Sequence, residues 1–445
     1  MNKILILGAG MSSSTLIRYL LDHSYDHNWK ITVGDKDAKL ANSKINDHEN
    51  ATAVEFDIFD ETSRRKLIGE HDVVVSMLPA RMHPLVANDC VVLKKHMVTA
   101  SYVSKEVKEL DQKARESGIV MLNELGVDPG IDHMSAMKLV DDIRNKGGKI
   151  LLFKSSTGGL IAPEYDTNPW NYKFTWNPRN VVLAGQGTSM FIRNGRYKYI
   201  PYHKLFDRVE KTTVLDYGDF EVYPNRDSLK YREIYDLQDI PTIFRGTLRR
   251  PGFCKAWDTF VQLGMTDDTY QMQDVESMTW RQFINSFLRY EPKIKVEDKL
   301  CDYLGLKPDD DVMHKLKWLG LFEDKPVDMS SGTPAQILQK LLEEKWVLEP
   351  GDKDMIAMQH KIEYEMEGNR RMITSSMATI GQDAPHTAMS ITVGTPVAIA
   401  VKLLLTGKIN IKGVHVPTKP VLYKPILKEL EEAGIRFVDE ETALA

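Results

Sequence analysis

The chain has 445 residues, 42% of them hydrophobic and 27% charged, with a formal net charge of -5. At about 100–200 residues per domain, this length holds two or three globular domains, and the slightly acidic balance argues against nucleic-acid or anionic-membrane partners, which demand a basic face. Cys90, Cys254 and Cys301 are far apart and fall in no metal-ligand spacing, so neither a bound metal nor a disulfide framework is expected and a reducing, cytoplasmic setting is.

The first apolar run, Ile4-Leu5-Ile6-Leu7, is too short for a signal-peptide core and reads as a buried strand over 3–7. Gly8-Ala9-Gly10-Met11-Ser12-Ser13 follows, then a helical stretch through Leu16, Ile17, Tyr19, Leu20 and Leu21. Further strands are predicted over 31–33, 53–56, 73–76, 97–100 and 119–122, with helices between them, such as 105–117. Strand alternating with helix gives a doubly wound parallel α/β sheet of the Rossmann type. After about residue 130 the rhythm changes. A helix over 131–146 precedes a strand over 150–156 that leads into Gly158-Gly159. An aromatic, turn-rich stretch runs to about 250, residues 255–350 are mostly helical, strands follow at 355–364 and 371–379, and a helix occupies 396–405. The apolar stretch 393–405 is too short to span a bilayer and carries Lys402.

A strand, a glycine-rich turn and a helix start form the place where a pyrophosphate docks. Gly8 and Gly10 let the backbone come close, Met11 and Ser12 open the helix, and Ser13 replaces the usual third glycine with another small residue. An ordinary βα turn is the bland alternative. Asp35 ends the second strand, where an acid hydrogen-bonds the ribose hydroxyls and repels a 2′-phosphate, which favours NAD. Lys36 beside it is a cation suited to the phosphate of NADP, and a solvated Asp35-Lys36-Asp37 turn is the plain alternative. Asp57 and Ile58 end the third strand, where an adenine commonly rests, and Ser76 to Pro79, with Leu78, end the fourth on the nicotinamide side. The cofactor is therefore NAD or NADP.

Several segments pack rare residues together: Ser101-Tyr102-Val103-Ser104, the run from Asn123 to Met134, Thr157-Gly158-Gly159-Leu160, Tyr172 to Trp176, Tyr223 to Ser228, and Phe244 to Arg249. In this order and spacing they resemble the saccharopine dehydrogenase family of the glutamate-forming type, and the likeness extends through Met389 to Pro396 and Gly413-Val414. The resemblance implies reversible NAD(P)-dependent oxidation of saccharopine to L-glutamate and 2-aminoadipate 6-semialdehyde, in lysine metabolism. It implies a Rossmann domain over 1–130, a substrate-binding and dimerisation domain over 131–389 of α+β type, and a segment over 390–445 that returns to the first domain, in a homodimer. The residues matching the family's substrate contacts are Ser101, Tyr102, Asp128, Asn225, Arg226 and Ser228.

The chemistry of these residues agrees. Saccharopine carries three carboxylates and a secondary amine, so its site needs cations and a group that takes a proton. Arg226 can form a bidentate pair with a carboxylate, with Asn225 and Ser228 adding neutral hydrogen bonds; pairing with Asp227 is its plain alternative. Asp128, Tyr102 and His133 are the candidates for proton handling. Asp128 could instead cap the following helix, Tyr102 could be a core aromatic and His133 buried structure. Arg245 and Arg249 either hold a second carboxylate or brace a turn. Two rival readings remain: a related imine reductase such as a carboxynorspermidine synthase, and a catalytically silent dinucleotide-binding sensor.

Overall fold

The computed structural model describes residues 1–444. It divides into two compact units: Met1–Lys149 with Met366–Gly368 and Met377–Val438, and Ile150–Glu365 with Asn369–Ser376 and the residues from Asp439 onward. The first unit is built on β1 (Asn2–Leu7), β2 (Trp29–Asp35), β3 (Ala51–Glu55), β4 (Val73–Ser76), β5 (His96–Val98) and β6 (Val120–Leu122), joined by a seventh strand, Gly413–His415. The seven lie in the order Gly413–His415, β6, β5, β4, β1, β2, β3, and every neighbouring pair is parallel. The chain starts at the centre, winds outward through β2 and β3, then crosses back to β4 and winds the other way. Ile4 to Leu7 and Val73 to Val75 are wholly buried, as expected of central strands covered by helices on both faces. Because the winding reverses between β1 and β4, their carboxyl ends open a crevice there.

Helix Ala388–Leu405 is longer than expected. Pro396 sits inside it and does not start it; the Thr387 side chain caps its true beginning by accepting from the Ser390 amide. Gly394 brings it close to helix Ser14–Asp22, since a Cβ there would lie 2.8 Å from the Leu16 amide nitrogen. At 18 residues it is long and apolar enough to cross a membrane, but 72% of it is buried in the protein. Its apolarity is explained by this packing, which Lys402 ties off with an ion pair to Glu429 at 2.6 Å.

The second unit is built on β7 (Lys149–Ile161), β8 (Thr188–Arg193), β9 (Arg196–Pro201), β10 (Glu210–Thr213), β11 (Asp219–Pro224), β12 (Thr242–Arg249), β13 (Asp354–Met366) and β14 (Asn369–Ile380), with Val438–Ala443 at the edge. The sheet is mixed: β12 pairs parallel with β7 and antiparallel with β11. β7 does not stop at Gly158-Gly159 but runs through it, because Gly158 lets β12 approach; a Cβ there would meet the Leu248 carbonyl at 2.6 Å. The helices between β12 and β13 include Phe253–Leu263 and Pro334–Lys345, and Trp170, Tyr172, Phe253, Trp257 and Trp346 interlock in one aromatic cluster beside them.

The first unit holds several histidines in their neutral form. Burial pulls His83 down to about 4 from 6.5 and also lowers His71, which bonds Leu67 O and Thr32 Oγ1. Both groups bind a proton more readily when unfolded, so their stabilisation is present above pH 6.5 and is lost as the pH falls, for His83 toward 4. At pH 5 the His83 shift alone removes about 2 kcal/mol. Thermal melts at pH 7.5 and pH 5 are expected to show a clear fall, reduced in His83→Gln. An equal fall in that variant would remove His83 from the account.

Candidate dinucleotide and substrate site

The carboxyl edge of the first sheet collects the predicted cofactor residues. Gly8 has φ +103, and a Cβ there would lie 2.9 Å from Met77 O, so only glycine lets the loops after β1 and β4 meet. Around Gly10 nothing lies within 4 Å of a Cβ, leaving open space over the turn. Met11–Ser13 forms one turn of 3-10 helix, Ser13 is buried and folds its hydroxyl back onto Gly10 O, and Ser14–Asp22 continues the helix. Ser13 N donates to Gly10 O at 3.1 Å, while the Met11 and Ser12 amides of this first turn have no partner within the helix and suit a pyrophosphate. The close-packed Gly8 and the open Gly10 therefore fit a dinucleotide.

Asp35 stands at the tip of β2, where Oδ2 accepts from Ala9 N at 2.7 Å and Oδ1 from Asp37 N at 3.0 Å. Lys36 lies 5.9 Å from the centre of the exposed Phe59 ring. Asp57 is exposed and turns the chain by accepting from Phe59 N at 3.0 Å, while the Ile58 side chain is buried in the core. Any contact Ile58 makes with an adenine thus falls to its backbone, which Arg64 holds through Ile58 O. Phe59, which the sequence reading passed over, is the exposed aromatic there. Leu78 is half-buried beside the same core.

Ser101 and Tyr102 follow β5, and Asp128 follows β6, all on this edge. Tyr102 is 46% exposed and is no core aromatic; its hydroxyl lies 3.4 Å from Asp128 Oδ1. Asp128 does not cap the helix Ile131–Asn145. Asp132 tightens that entry instead, accepting from Gly130 N at 2.6 Å. His133 is wholly buried with Nε2 2.7 Å from Glu124 Oε2. The other Glu124 oxygen accepts from Val103 N, and the Glu124 amide donates to Ser101 O. This pair ties the loop after β5 to the loop after β6, so His133 acts as a brace sealed from solvent, out of direct reach of a substrate proton.

The second unit carries the cations. Asn225 to Ser228 leave β11 and are held by backbone bonds to Met190 and Arg245. Ser228 is buried and its hydroxyl accepts from Arg245 N at 2.9 Å, so it shapes the loop. Asn225 is half-buried. Asp227 accepts from Leu229 N at 2.8 Å, and Arg226, exposed with φ 21, pairs with no acid among the described residues. Arg245 packs its guanidinium 4.0 Å from the Tyr231 ring centre, as a brace would. Arg249 is also buried, near the rings of Tyr172, Phe253 and Tyr223. Its Nε has no hydrogen-bond partner, and no carboxylate among the described residues pairs with it. Thr157, on the strand next to β12, also keeps a buried hydroxyl without a partner.

A doubly wound sheet with this glycine turn and a carboxylate at the end of β2 defines an NAD(P)-dependent oxidoreductase. Two family descriptions match in tandem: saccharopine dehydrogenase NADP binding domain over residues 4–122 and saccharopine dehydrogenase C-terminal domain over 126–435. The chain belongs to the saccharopine dehydrogenase family, as the matched segments suggested. It is 34% identical to saccharopine dehydrogenase [NADP(+), L-glutamate-forming] of Schizosaccharomyces pombe, over 99% of each chain. It is also 34% identical to the mitochondrial alpha-aminoadipic semialdehyde synthase of Bos taurus, over 99% of this chain and 48% of that one. Apo saccharopine dehydrogenase (L-Glu forming) from Saccharomyces cerevisiae superposes with a TM-score of 0.91 at 30% identity, covering 100% of both chains. A homospermidine synthase from Legionella pneumophila shares the fold alone, with a TM-score of 0.56 at 9% identity.

Proposed function

We propose that this enzyme oxidises saccharopine to L-glutamate and 2-aminoadipate 6-semialdehyde, reversibly, with NAD(P). The observation that carries the reading is the pair of arginines without acidic partners, Arg226 and Arg249, in a chain matched to glutamate-forming relatives along its whole length. Two guanidiniums left for a ligand suit a substrate with several carboxylates. A spermidine-type imine has fewer carboxylates to offer them, and the likeness to the homospermidine synthase extends to the fold only.

Bound nicotinamide supplies the hydride acceptor. The carbon oxidised is the methylene that becomes the aldehyde, since the other product keeps its amine as glutamate. Arg226 and Arg249 grip carboxylates, Ser101 and Asn225 add hydrogen bonds, and Ser228 holds the loop on which Arg226 stands. The secondary amine must be neutral when the hydride leaves. Asp128, beside the Tyr102 hydroxyl, takes that proton, and His133 holds the loop through Glu124. Water then adds to the imine carbon, and the carbon–nitrogen bond breaks. The protein works in the cytoplasm as a homodimer, for which exposed Tyr197 and Tyr199 on edge strand β9 offer a contact.

The test is absorbance at 340 nm with purified protein, saccharopine, and NAD or NADP in parallel, with glutamate assayed in the same samples. Reduction of either cofactor with stoichiometric glutamate is expected. Dinucleotide binding without turnover would leave the sensor reading.

A further inference from the structure

A histidine that neither the glycine loop nor the matched substrate segments include sits directly behind Ser101. β4 ends at Ser76, which is wholly buried, and the chain turns through Pro79 into helix His83–Leu93. His83, its first residue, is 3% exposed. Its Nδ1 lies 2.8 Å from Ser76 Oγ and its Nε2 lies 2.7 Å from Ser101 Oγ. One imidazole therefore bridges the ends of β4 and β5 and terminates on a hydroxyl proposed to touch substrate.

A neutral imidazole has one N–H and one lone pair, so the two serines must play opposite parts. In one arrangement Nδ1–H donates to Ser76, Ser101 donates to Nε2, and the Ser101 oxygen offers only lone pairs outward. In the other, Ser76 donates to Nδ1, Nε2–H donates to Ser101, and the Ser101 proton is turned outward. A carboxylate accepts hydrogen bonds and cannot donate one, so only the second arrangement serves it. We propose that His83 is a positioning residue that, as the Nε2–H tautomer, turns the Ser101 hydroxyl into a hydrogen-bond donor aimed at a substrate carboxylate. No proton is transferred; three donors point the same way along Ser76, His83 and Ser101. Burial that holds the ring neutral, with a pKa near 4, keeps this arrangement intact across the working pH range. The Ser101 backbone is fixed independently, since Glu124 N donates to its carbonyl at 3.0 Å, which leaves the hydroxyl rotor as the freedom His83 removes.

The inference rests on the saccharopine reading of Ser101, and its test separates the two. In resting wild-type protein with ¹⁵N-labelled histidine, the His83 signal, assigned by its loss in His83→Gln, is expected to show Nε2–H; Nδ1–H would overturn the proposal whatever the substrate. In steady-state assays His83→Asn, too short to reach Ser101, should raise the KM for saccharopine about tenfold, as for one hydrogen bond to a charged group, with the Kd for NAD(P) unchanged. His83→Gln, whose amide reaches the Nε2 position, should recover most of that loss. In a Ser101→Ala background His83→Asn should add less than about twofold. A full tenfold effect in that background, or an equal loss of cofactor binding, would reduce His83 to a structural residue. An unchanged KM in Ser101→Ala would take Ser101 out of the substrate site and His83's role with it. Absence of turnover in wild-type protein that still shows the Nε2–H signal would sink the saccharopine reading alone.

Discussion

Arg249→Met is expected to raise the melting temperature while lowering kcat/KM for saccharopine about 100-fold. The two effects share one cause. Arg249 is 4% exposed, with the ring centres of Tyr172, Phe253 and Tyr223 at 5.0, 5.3 and 5.8 Å from its guanidinium carbon. Nη1 donates to Leu248 O at 2.9 Å and Nε donates to nothing. Glu221 lies opposite on β11, but its carboxylate accepts from the amides of Gly252 and Cys254. Cation–π contacts return about 0.5–2 kcal/mol, less than the several kcal/mol that burying an unpaired charge costs. A side chain of similar length without the charge therefore stabilises the free protein. With substrate bound, the same exchange removes a charge-assisted hydrogen bond in a dry setting, worth about 1.5–3 kcal/mol. Arg226→Lys should act more mildly, raising KM about tenfold, because the exposed side chain keeps its charge and loses only the fork. Thermal melts and steady-state kinetics on the same preparations decide the matter. A lower melting temperature with an unchanged KM would make Arg249 a brace for β12, and Arg226 the one cation assigned to substrate.

The first sheet was legible because its strands are short and largely apolar, and several end at a residue that marks a turn. Asp35 and Asp57 punctuate β2 and β3, and Gly8 follows β1. Glycine and proline mislead where tertiary contact overrides their local meaning. Gly158 looked like a turn and lies inside a strand, because β12 needs the space of a missing Cβ. Pro396 looked like a helix start and lies inside a helix, in a stretch where Gly394 packs on Leu16. The site divides in the same way. Ser101, Tyr102 and Asp128 could be placed at strand ends from spacing alone. The different parts of Arg245 and Arg249 could not, because the distinction is what surrounds each guanidinium. His83 was also hidden: in sequence it is one histidine after a Leu-Pro turn, and its importance comes from two serines brought to its two nitrogens.

NAD is expected to serve this enzyme better than NADP, by about 10–100-fold in kcat/KM, although the relatives from Schizosaccharomyces pombe and Saccharomyces cerevisiae are named as NADP(+) enzymes. Asp35 is anchored in place. Its carboxylate accepts from Ala9 N at 2.7 Å and from Asp37 N at 3.0 Å, so both oxygens are tied to the backbone of the loops where the adenosine ribose would lie. A mobile acid could swing away from a 2′-phosphate; this one would have to break two charge-assisted bonds to do so. Each unit of like charge about 4 Å away opposes binding by about 1 kcal/mol in water and several in a partly screened crevice, enough for the preference stated. The opposing candidate is Lys36, whose ammonium lies 5.9 Å from the Phe59 ring centre on an exposed surface where solvent weakens its pull. Asp35→Ser should therefore raise kcat/KM with NADP at least tenfold and lower it with NAD by a similar factor, as the ribose loses its acceptor and the phosphate its repulsion. If wild type prefers NADP, and Lys36→Ala removes that preference with NAD turnover unaffected, the cation beside Asp35 outweighs the anchored acid and the cofactor assignment reverses.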